Sequence, residues 1–178
     1  MSLPLRSIAN ALTVGRAVAG FPLILALQFG WQGWAWWLLL LAGLSDAADG
    51  WLARRAGGGS SWGARLDPLT DKVLIAAPLL WLASSGVLPL WAVWLLLARE
   101  LLISGWRAEA SDGAPASSSG KAKTILQFVS LLLMLWPSGW LGAPSLASLG
   151  WWLFWPSLAL ALSSALGYIK PRSSPHHH

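Results

Sequence analysis

The sequence contains no cysteine, which excludes a disulfide framework, a zinc-thiolate site and a cysteine nucleophile. Charge is also scarce: Asp, Glu, Lys and Arg make up 11% of the 178 residues, whereas soluble domains average about 25%. Hydrophobic residues make up 56%, and tryptophan alone occurs 15 times. Because so few charges cannot coat a globule of this size, the composition excludes a soluble domain and predicts a polytopic, all-α membrane protein.

Histidine occurs only at the last three positions, His176, His177 and His178, which we interpret as part of a purification tag in a tail over 173–178. We therefore expect no histidine in catalysis or metal binding. No internal repeat divides the rest of the chain, so residues 1–172 are predicted to form one domain. The excess of 12 Lys and Arg over 7 Asp and Glu indicates membrane topology and anionic lipid as a partner, with no nucleic acid.

Apolar runs predict six transmembrane helices, at 12–29, 33–54, 68–85, 88–108, 122–137 and 148–169. The connections after the first, third and fifth runs carry no Lys or Arg, and all basic residues fall on the other side. The positive-inside rule therefore places both termini and the charged connections in the cytoplasm. Tryptophans cluster toward the uncharged side, as expected of an interfacial aromatic belt.

Two features near the N-terminus have alternative interpretations. The first run could be a cleaved signal peptide, but its length, the presence of Arg16 and the lack of a small-x-small cleavage site favour a membrane span. The stretch from Ser2 to Asn10 fits an amphipathic helix on the membrane surface as well as it fits a disordered tail.

Four of the seven acidic residues lie within 26 positions, at the cytoplasmic ends of the second and third runs: Asp46, Asp49, Asp67 and Asp71. On helices, spacings of three and four residues place the members of each pair about 60° and 40° apart, so each pair projects from one face. Four unpaired carboxylates at membrane depth would be costly, so they need cations. Oxygen-only ligation suits two divalent ions, Mg²⁺ or Mn²⁺. The alternative is a structural cluster of helix caps and ion pairs.

These aspartates belong to the string Asp46-x-x-Asp49-Gly50-x-x-Ala53-Arg54, eight residues, Gly63-x-x-x-Asp67-x-x-x-Asp71. With eight fixed positions at fixed spacing, the string resembles the complete signature of the CDP-alcohol phosphatidyltransferases. The resemblance extends to the six-span layout and implies a membrane enzyme that moves a phosphatidyl group from a CDP-linked lipid to an alcohol, releasing CMP.

The resemblance also implies residue roles. Asp46, Asp49, Asp67 and Asp71 would hold two divalent ions on the pyrophosphate, with Asp71 also the candidate general base. Gly50, Ala53 and Arg54 would border the CDP moiety. The chemistry needs such groups, since pyrophosphate cleavage requires charge neutralisation and a proton acceptor for the attacking hydroxyl.

The second charged connection is expected to select the acceptor. Four cations flank it: Arg99, Arg107, Lys121 and Lys123. Cations gathered at the cytoplasmic mouth suggest an acceptor that carries its own phosphate, whereas the alternative is that they anchor loops to anionic headgroups. Glu109 and Asp112, in the same region, are interpreted as solvated loop charges.

The segments Arg99 to Arg107, Gly120 to Gln127 and Ile8 to Arg16 resemble the bacterial phosphatidylglycerophosphate synthase branch of the family. This branch implies CDP-diacylglycerol and glycerol 3-phosphate as substrates, a homodimer, and a place in the bacterial cytoplasmic (inner) membrane. The four cations would then be the acceptor phosphate contacts. Rival hypotheses are another acceptor (phosphatidylglycerol, inositol phosphate or serine), a small cation transporter, and a structural scaffold.

Overall fold

The computed structural model describes residues 15, 18–55, 61–109 and 118–169, with side chains at 15, 18–45, 70, 72–105 and 122–165. Within these ranges the chain forms six helices and no strand, so the all-α prediction is confirmed there. In chain order they are α1 (Val18–Gln28), α2 (Gln32–Arg55), α3 (Ser61–Ser84), α4 (Leu90–Glu109), α5 (Ser118–Met134) and α6 (Ala143–Ile169). The predicted N-terminal surface helix and the C-terminal tail lie outside these ranges.

Three helices begin four or more residues before their predicted starts. Helix α3 begins at Ser61, seven residues before the predicted start, so Gly63 is helical and not part of a connection as predicted. Helix α5 begins at Ser118, and α6 begins at Ala143 directly after Gly142, whose φ is 76°. An apolar run measures only the part of a helix that avoids water, whereas backbone hydrogen bonds continue the helix into polar sequence.

By length and composition alone, one helical segment of the described chain can cross a membrane: Ala143–Ala165, with 23 residues and a mean hydropathy of 1.3. Shorter apolar segments occupy Val18–Gln28, Lys72–Ser84 and Ala122–Met134. Charged residues within α2, α3, α4 and α5 shorten the uninterrupted apolar part of each helix. The six-span topology therefore stays a prediction.

Large apolar side chains cover the outside of the bundle. Phe21, Trp34, Leu80, Trp94 and Trp152 are exposed on five different helices. Soluble monomers rarely expose contiguous apolar patches larger than a few hundred Å², so this surface is typical of a protein surrounded by lipid.

The three connections without basic residues meet at one end of the bundle, which we call the uncharged end. The backbone N–H and hydroxyl of Ser138 donate to Gln32 Oε1 at 3.0 and 2.9 Å. The indole N–H of Trp151 donates to the Val87 carbonyl at 3.2 Å. Because tight turns reverse the chain here, the other ends of the helices lie at the opposite end, which we call the charged end.

Tryptophans pack against each other at the uncharged end, on the side where the sequence placed them. Trp36 makes edge-to-face contacts with Trp37, Trp136 and Trp140, with ring centroids 5.0 to 5.3 Å apart. Its indole N–H donates to the Leu132 carbonyl at 2.9 Å. These rings hold the helix ends together as well as covering the surface, because edge-to-face contacts stabilise a fold beyond the effect of the area that each ring buries.

Leucine and aromatic side chains from the described helices fill one core. Leu23, Leu39, Leu79, Leu96 and Phe154 are fully buried in it. Helix α5 packs against α2, α3 and α6, while α4 packs against α3 and α6. Helix α5 therefore lies beside both helices that carry the aspartate signature.

Helices α5 and α6 approach closely at Gly150. A Cβ atom added there would lie 2.6 Å from the Met134 amide nitrogen and 2.8 Å from the Ser130 carbonyl oxygen. The Ser130 hydroxyl donates to the Gly150 carbonyl at 2.7 Å. Because these neighbours are backbone atoms, they cannot move aside without separating the helices.

We predict that Gly150→Ala destabilises the fold by about 1–3 kcal/mol, because the added methyl group overpacks the contact between α5 and α6. Thermal melting of the detergent-solubilised protein measures the loss. Gly33→Ala is the matched control, since nothing lies within 4 Å of a Cβ added at that helical position. Equal melting temperatures for the two variants would contradict the close packing.

Candidate active site at the charged end

The signature residues lie on the two helices predicted for them. Asp46 and Asp49 belong to α2, and Asp67 and Asp71 belong to α3. The helical spacing therefore places each pair on one face of its helix. Gly50, Ala53 and Arg54 follow on α2. The side chains of all seven residues lie outside the described set, so their roles stay predictions.

The signature lies at the same depth as a set of polar residues on α4, α5 and α6. Each of these residues lies five to ten residues from the charged end of its helix: Asp46, Asp49, Asp67, Asp71, Arg99, Glu100, Lys123, Ala161 and Ser164. At 1.5 Å per residue this is about 8–15 Å of helix. The helix positions of the aspartates and of these polar residues therefore share one depth in the bundle.

Glu100 binds two cations from different helices. Its Oε1 accepts a hydrogen bond from Arg99 Nη1 at 2.9 Å, and the same oxygen accepts one from Lys123 Nζ. Both contacts are ion pairs. The predicted convergence of Arg99 on α4 and Lys123 on α5 is therefore observed, with Glu100 between them.

Arg99 also joins α4 to α6. Its Nε donates to the Ala161 carbonyl at 2.9 Å, and its Nη2 donates to the Ser164 hydroxyl at 2.6 Å. The Ser164 hydroxyl in turn donates to the Ala161 carbonyl at 2.8 Å. The guanidinium is thereby held by three bonds in a fixed orientation.

This network is largely removed from solvent. The exposed fractions of the Arg99, Lys123 and Glu100 side chains are 9%, 5% and 15%. Two cations and one carboxylate leave a local charge of +1, in surroundings where charge is screened less than at an open surface. An anionic group that reached this cluster would be attracted to it.

Arg107 and Lys121, the other two cations predicted to bind the acceptor phosphate, belong to α4 and α5. Their side chains lie outside the described set, so the structure brings together two of the four predicted cations. Glu109 is the last residue of α4, and Asp112 lies outside the described ranges.

A concavity of about 360 Å³ opens at the other end of the bundle, lined by Gly33, Trp34 and Trp37. None of these three residues is ionisable, and Trp34 and Trp37 are exposed. Because charged pyrophosphate chemistry requires neutralising groups, this apolar depression does not suit it. The charged end carries the candidate active site.

Sequence reasoning missed the position of Glu100 and the two α6 partners, Ala161 and Ser164. Glu100 had a detectable signal: within the predicted span 88–108 it is the sole acidic residue, and a carboxylate inside a membrane helix needs a cation. Ala161 and Ser164 had no such signal, because they lie 62 and 65 residues from Arg99 and are common in apolar helices.

The donor chemistry of the chain fits a hard divalent cation. With no cysteine and with histidine only at the last three positions, the remaining strong ligands are carboxylates, and four of them share the signature. Oxygen-only donor sets favour Mg²⁺ or Mn²⁺ over softer metals.

Comparison with known proteins identifies the family. The CDP-alcohol phosphatidyltransferase family model matches residues 6–163. A cardiolipin synthase (CMP-forming) from Streptomyces coelicolor is 38% identical, over 83% of this chain and 74% of that protein. The CDP-diacylglycerol–glycerol-3-phosphate 3-phosphatidyltransferase of Escherichia coli K12 is 34% identical, over 84% of this chain and 85% of that one.

A probable phosphatidylglycerophosphate synthase from Mycobacterium tuberculosis is 38% identical, over 74% of this chain and 66% of that protein. The fold resembles the crystal structure of Mycobacterium tuberculosis phosphatidylinositol phosphate synthase in its apo form, with a TM-score of 0.61 and 22% identity. That alignment covers 93% of this chain and 88% of the other. The family match, the relatives and the aspartate signature agree, and the chain belongs to the CDP-alcohol phosphatidyltransferase family of phospholipid-synthesising transferases.

Proposed function

We propose that the enzyme transfers a phosphatidyl group from CDP-diacylglycerol to glycerol 3-phosphate, giving phosphatidylglycerol phosphate and CMP. The observation that carries this proposal is the cation pair of Arg99 and Lys123 at the depth of the aspartate signature. A cationic cluster suits an acceptor that carries a phosphate of its own. The names of the Escherichia coli and Mycobacterium tuberculosis relatives support the same acceptor.

In the proposed reaction, an acceptor hydroxyl oxygen attacks the phosphorus of the phosphatidyl group. A new phosphorus–oxygen bond forms, the bond to the bridging oxygen of the pyrophosphate breaks, and CMP leaves with that oxygen. Asp71 takes the hydroxyl proton as general base. Arg54 contributes charge beside the leaving CMP, and Arg99, Arg107, Lys121 and Lys123 hold the acceptor phosphate.

Asp46, Asp49, Asp67 and Asp71 would hold two divalent cations, Mg²⁺ or Mn²⁺. When bound, these ions would neutralise the pyrophosphate and stabilise the leaving phosphate. Gly50 and Ala53 would leave room on α2 for the CDP moiety to approach, because their side chains are absent or small.

We also propose that the enzyme is a homodimer in the bacterial cytoplasmic (inner) membrane, with the charged end and both termini in the cytoplasm. The distribution of Lys and Arg supports this orientation. It would give the site access to water-soluble glycerol 3-phosphate while CDP-diacylglycerol arrives from the surrounding lipid.

Phosphatidylglycerol is tested as an alternative acceptor, because the Streptomyces coelicolor relative is named a cardiolipin synthase. The purified protein is assayed for CMP release from CDP-diacylglycerol with Mg²⁺ or Mn²⁺. Glycerol 3-phosphate, phosphatidylglycerol, inositol phosphate and serine are supplied in parallel. We expect release with glycerol 3-phosphate. Release with phosphatidylglycerol alone would identify a cardiolipin synthase, and no release with any acceptor would contradict the proposed activity.

Replacing the proposed base tests the chemistry. Asp71→Asn is expected to reduce turnover to background, because the amide neither accepts the proton nor binds a divalent cation as a carboxylate does. CMP release measures turnover, and an unchanged melting temperature shows that the fold is intact. Asp112→Asn is the control, since Asp112 is predicted to be a solvated loop charge. Normal turnover of Asp71→Asn would remove Asp71 from both roles.

The acceptor contacts are tested at Arg107. Arg107→Ala is expected to raise the KM for glycerol 3-phosphate about tenfold, the loss of one charge-assisted hydrogen bond, with a smaller effect on kcat. Arg172→Ala removes the last cation of the predicted domain, three residues after α6 ends, and serves as control. If both variants keep the normal KM, Arg107 does not bind the acceptor, and the alternative role of contacting anionic headgroups is favoured.

A further inference from the structure

The shared oxygen of Glu100 holds two like charges side by side. Arg99 Nη1 and Lys123 Nζ both contact Oε1, so the guanidinium and the ammonium are only a few ångströms apart. The two cations repel each other strongly where water is scarce. Little water reaches them, because Lys123 is only 4% exposed. Without the carboxylate, the two cations would separate or lose their burial.

The two cations are fixed in different ways. Arg99 has two further bonds, to the Ala161 carbonyl and to the Ser164 hydroxyl, so α6 anchors it independently of Glu100. Lys123 is joined to this assembly through the Glu100 carboxylate. Glu100 therefore transmits the fixed position of Arg99 on α4 to the flexible side chain of Lys123 on α5.

Arg99 and Lys123 carry more N–H groups than their bonds to described residues use. A guanidinium carries five N–H groups and an ammonium carries three. Among the described residues, the bonds of Arg99 use three of its five and the Glu100 contact uses one of the three of Lys123. A phosphate that met both groups would need their spacing to match its oxygens, so the element that sets the spacing would also set acceptor affinity.

We propose that Glu100 is a positioning residue of the acceptor site: its carboxylate holds Lys123 beside Arg99 so that the two cations present one preformed phosphate receptor. This inference rests on the proposed function. It differs from two simpler roles for Glu100, reduction of the local positive charge and stabilisation of the fold, and each of these predicts a different result on substitution.

Glu100→Asp separates geometry from charge, because it keeps the carboxylate and shortens its reach by one methylene group. Positioning predicts that the KM for glycerol 3-phosphate rises about tenfold while kcat and the KM for CDP-diacylglycerol stay within about twofold. A pure charge effect predicts no change in this variant. Ser104→Ala is the matched control, since its hydroxyl donates to the backbone carbonyl of Glu100, at 2.8 Å, so its loss leaves the Glu100 carboxylate unchanged and the variant should behave as the unaltered enzyme.

Glu100→Gln also distinguishes positioning of Lys123 from reduction of the local positive charge, because the two roles predict opposite changes in KM. It removes the charge at nearly constant size, so reduction of local charge predicts a lower KM for the acceptor, whereas positioning predicts a higher one. Adding Lys123→Met provides a cycle: if Glu100 acts through Lys123, the double variant has the same KM as Lys123→Met alone.

Three results would overturn the proposal: an unchanged acceptor KM in Glu100→Asp, a lowered KM in Glu100→Gln, or additive effects in the double variant. A fall in melting temperature with normal kinetics would make Glu100 purely structural. If Glu100→Gln fails to fold, Glu100→Asp decides, because it retains the charge that the buried cations need. The unaltered enzyme is assayed first: its failure to use glycerol 3-phosphate overturns the proposed function, whereas normal activity with unaffected variants overturns this inference alone.

Discussion

Ionised side chains in an apolar helix bundle are stable only where water or an opposite charge reaches them, and the arrangement of this protein follows from that constraint. The turns at the uncharged end, joined by the bonds from Ser138 to Gln32 and from Trp151 to Val87, reverse the chain without any basic residue. The other ends of the described helices, which carry the charged residues, therefore lie at the opposite end. The helix positions of the aspartate signature, on α2 and α3, thus lie at the same depth as the cations Arg99 and Lys123 on α4 and α5.

Within that layer, Glu100 resolves a conflict that the confinement creates. Cations that attract a phosphate also repel each other, and the repulsion between largely buried cations is screened less than at an open surface. One carboxylate shared by Arg99 and Lys123 offsets it and leaves a net positive charge. Helix α5 packs against both α2 and α3, so Lys123 is carried by the helix that borders the aspartate signature. The proposed acceptor and metal sites are therefore supported by the same packing.

The sequence was sufficient to predict the helices, the uncharged end and the convergence of Arg99 with Lys123, because each leaves a local pattern of hydropathy or charge. It failed at helix starts such as Ser61 and Ala143, where the helix continues beyond the apolar run that marked it. It also failed at the bonds from Arg99 to Ala161 and Ser164, since contacts between distant helices depend on how the helices pack. The aspartate side chains lie outside the described set, so their convergence on a metal remains a prediction.

The central claim, a divalent site at the charged end, can be tested directly because the chain has no cysteine. A nitroxide is attached at Ser163→Cys, near the charged end of α6, or at Leu141→Cys, which is 97% exposed at the uncharged end. Electron paramagnetic resonance then records the line broadening that added Mn²⁺ causes at each label. The account predicts strong broadening at position 163 and weak broadening at 141, both lost in Asp71→Asn. Equal broadening at the two labels, or broadening that survives Asp71→Asn, would contradict it.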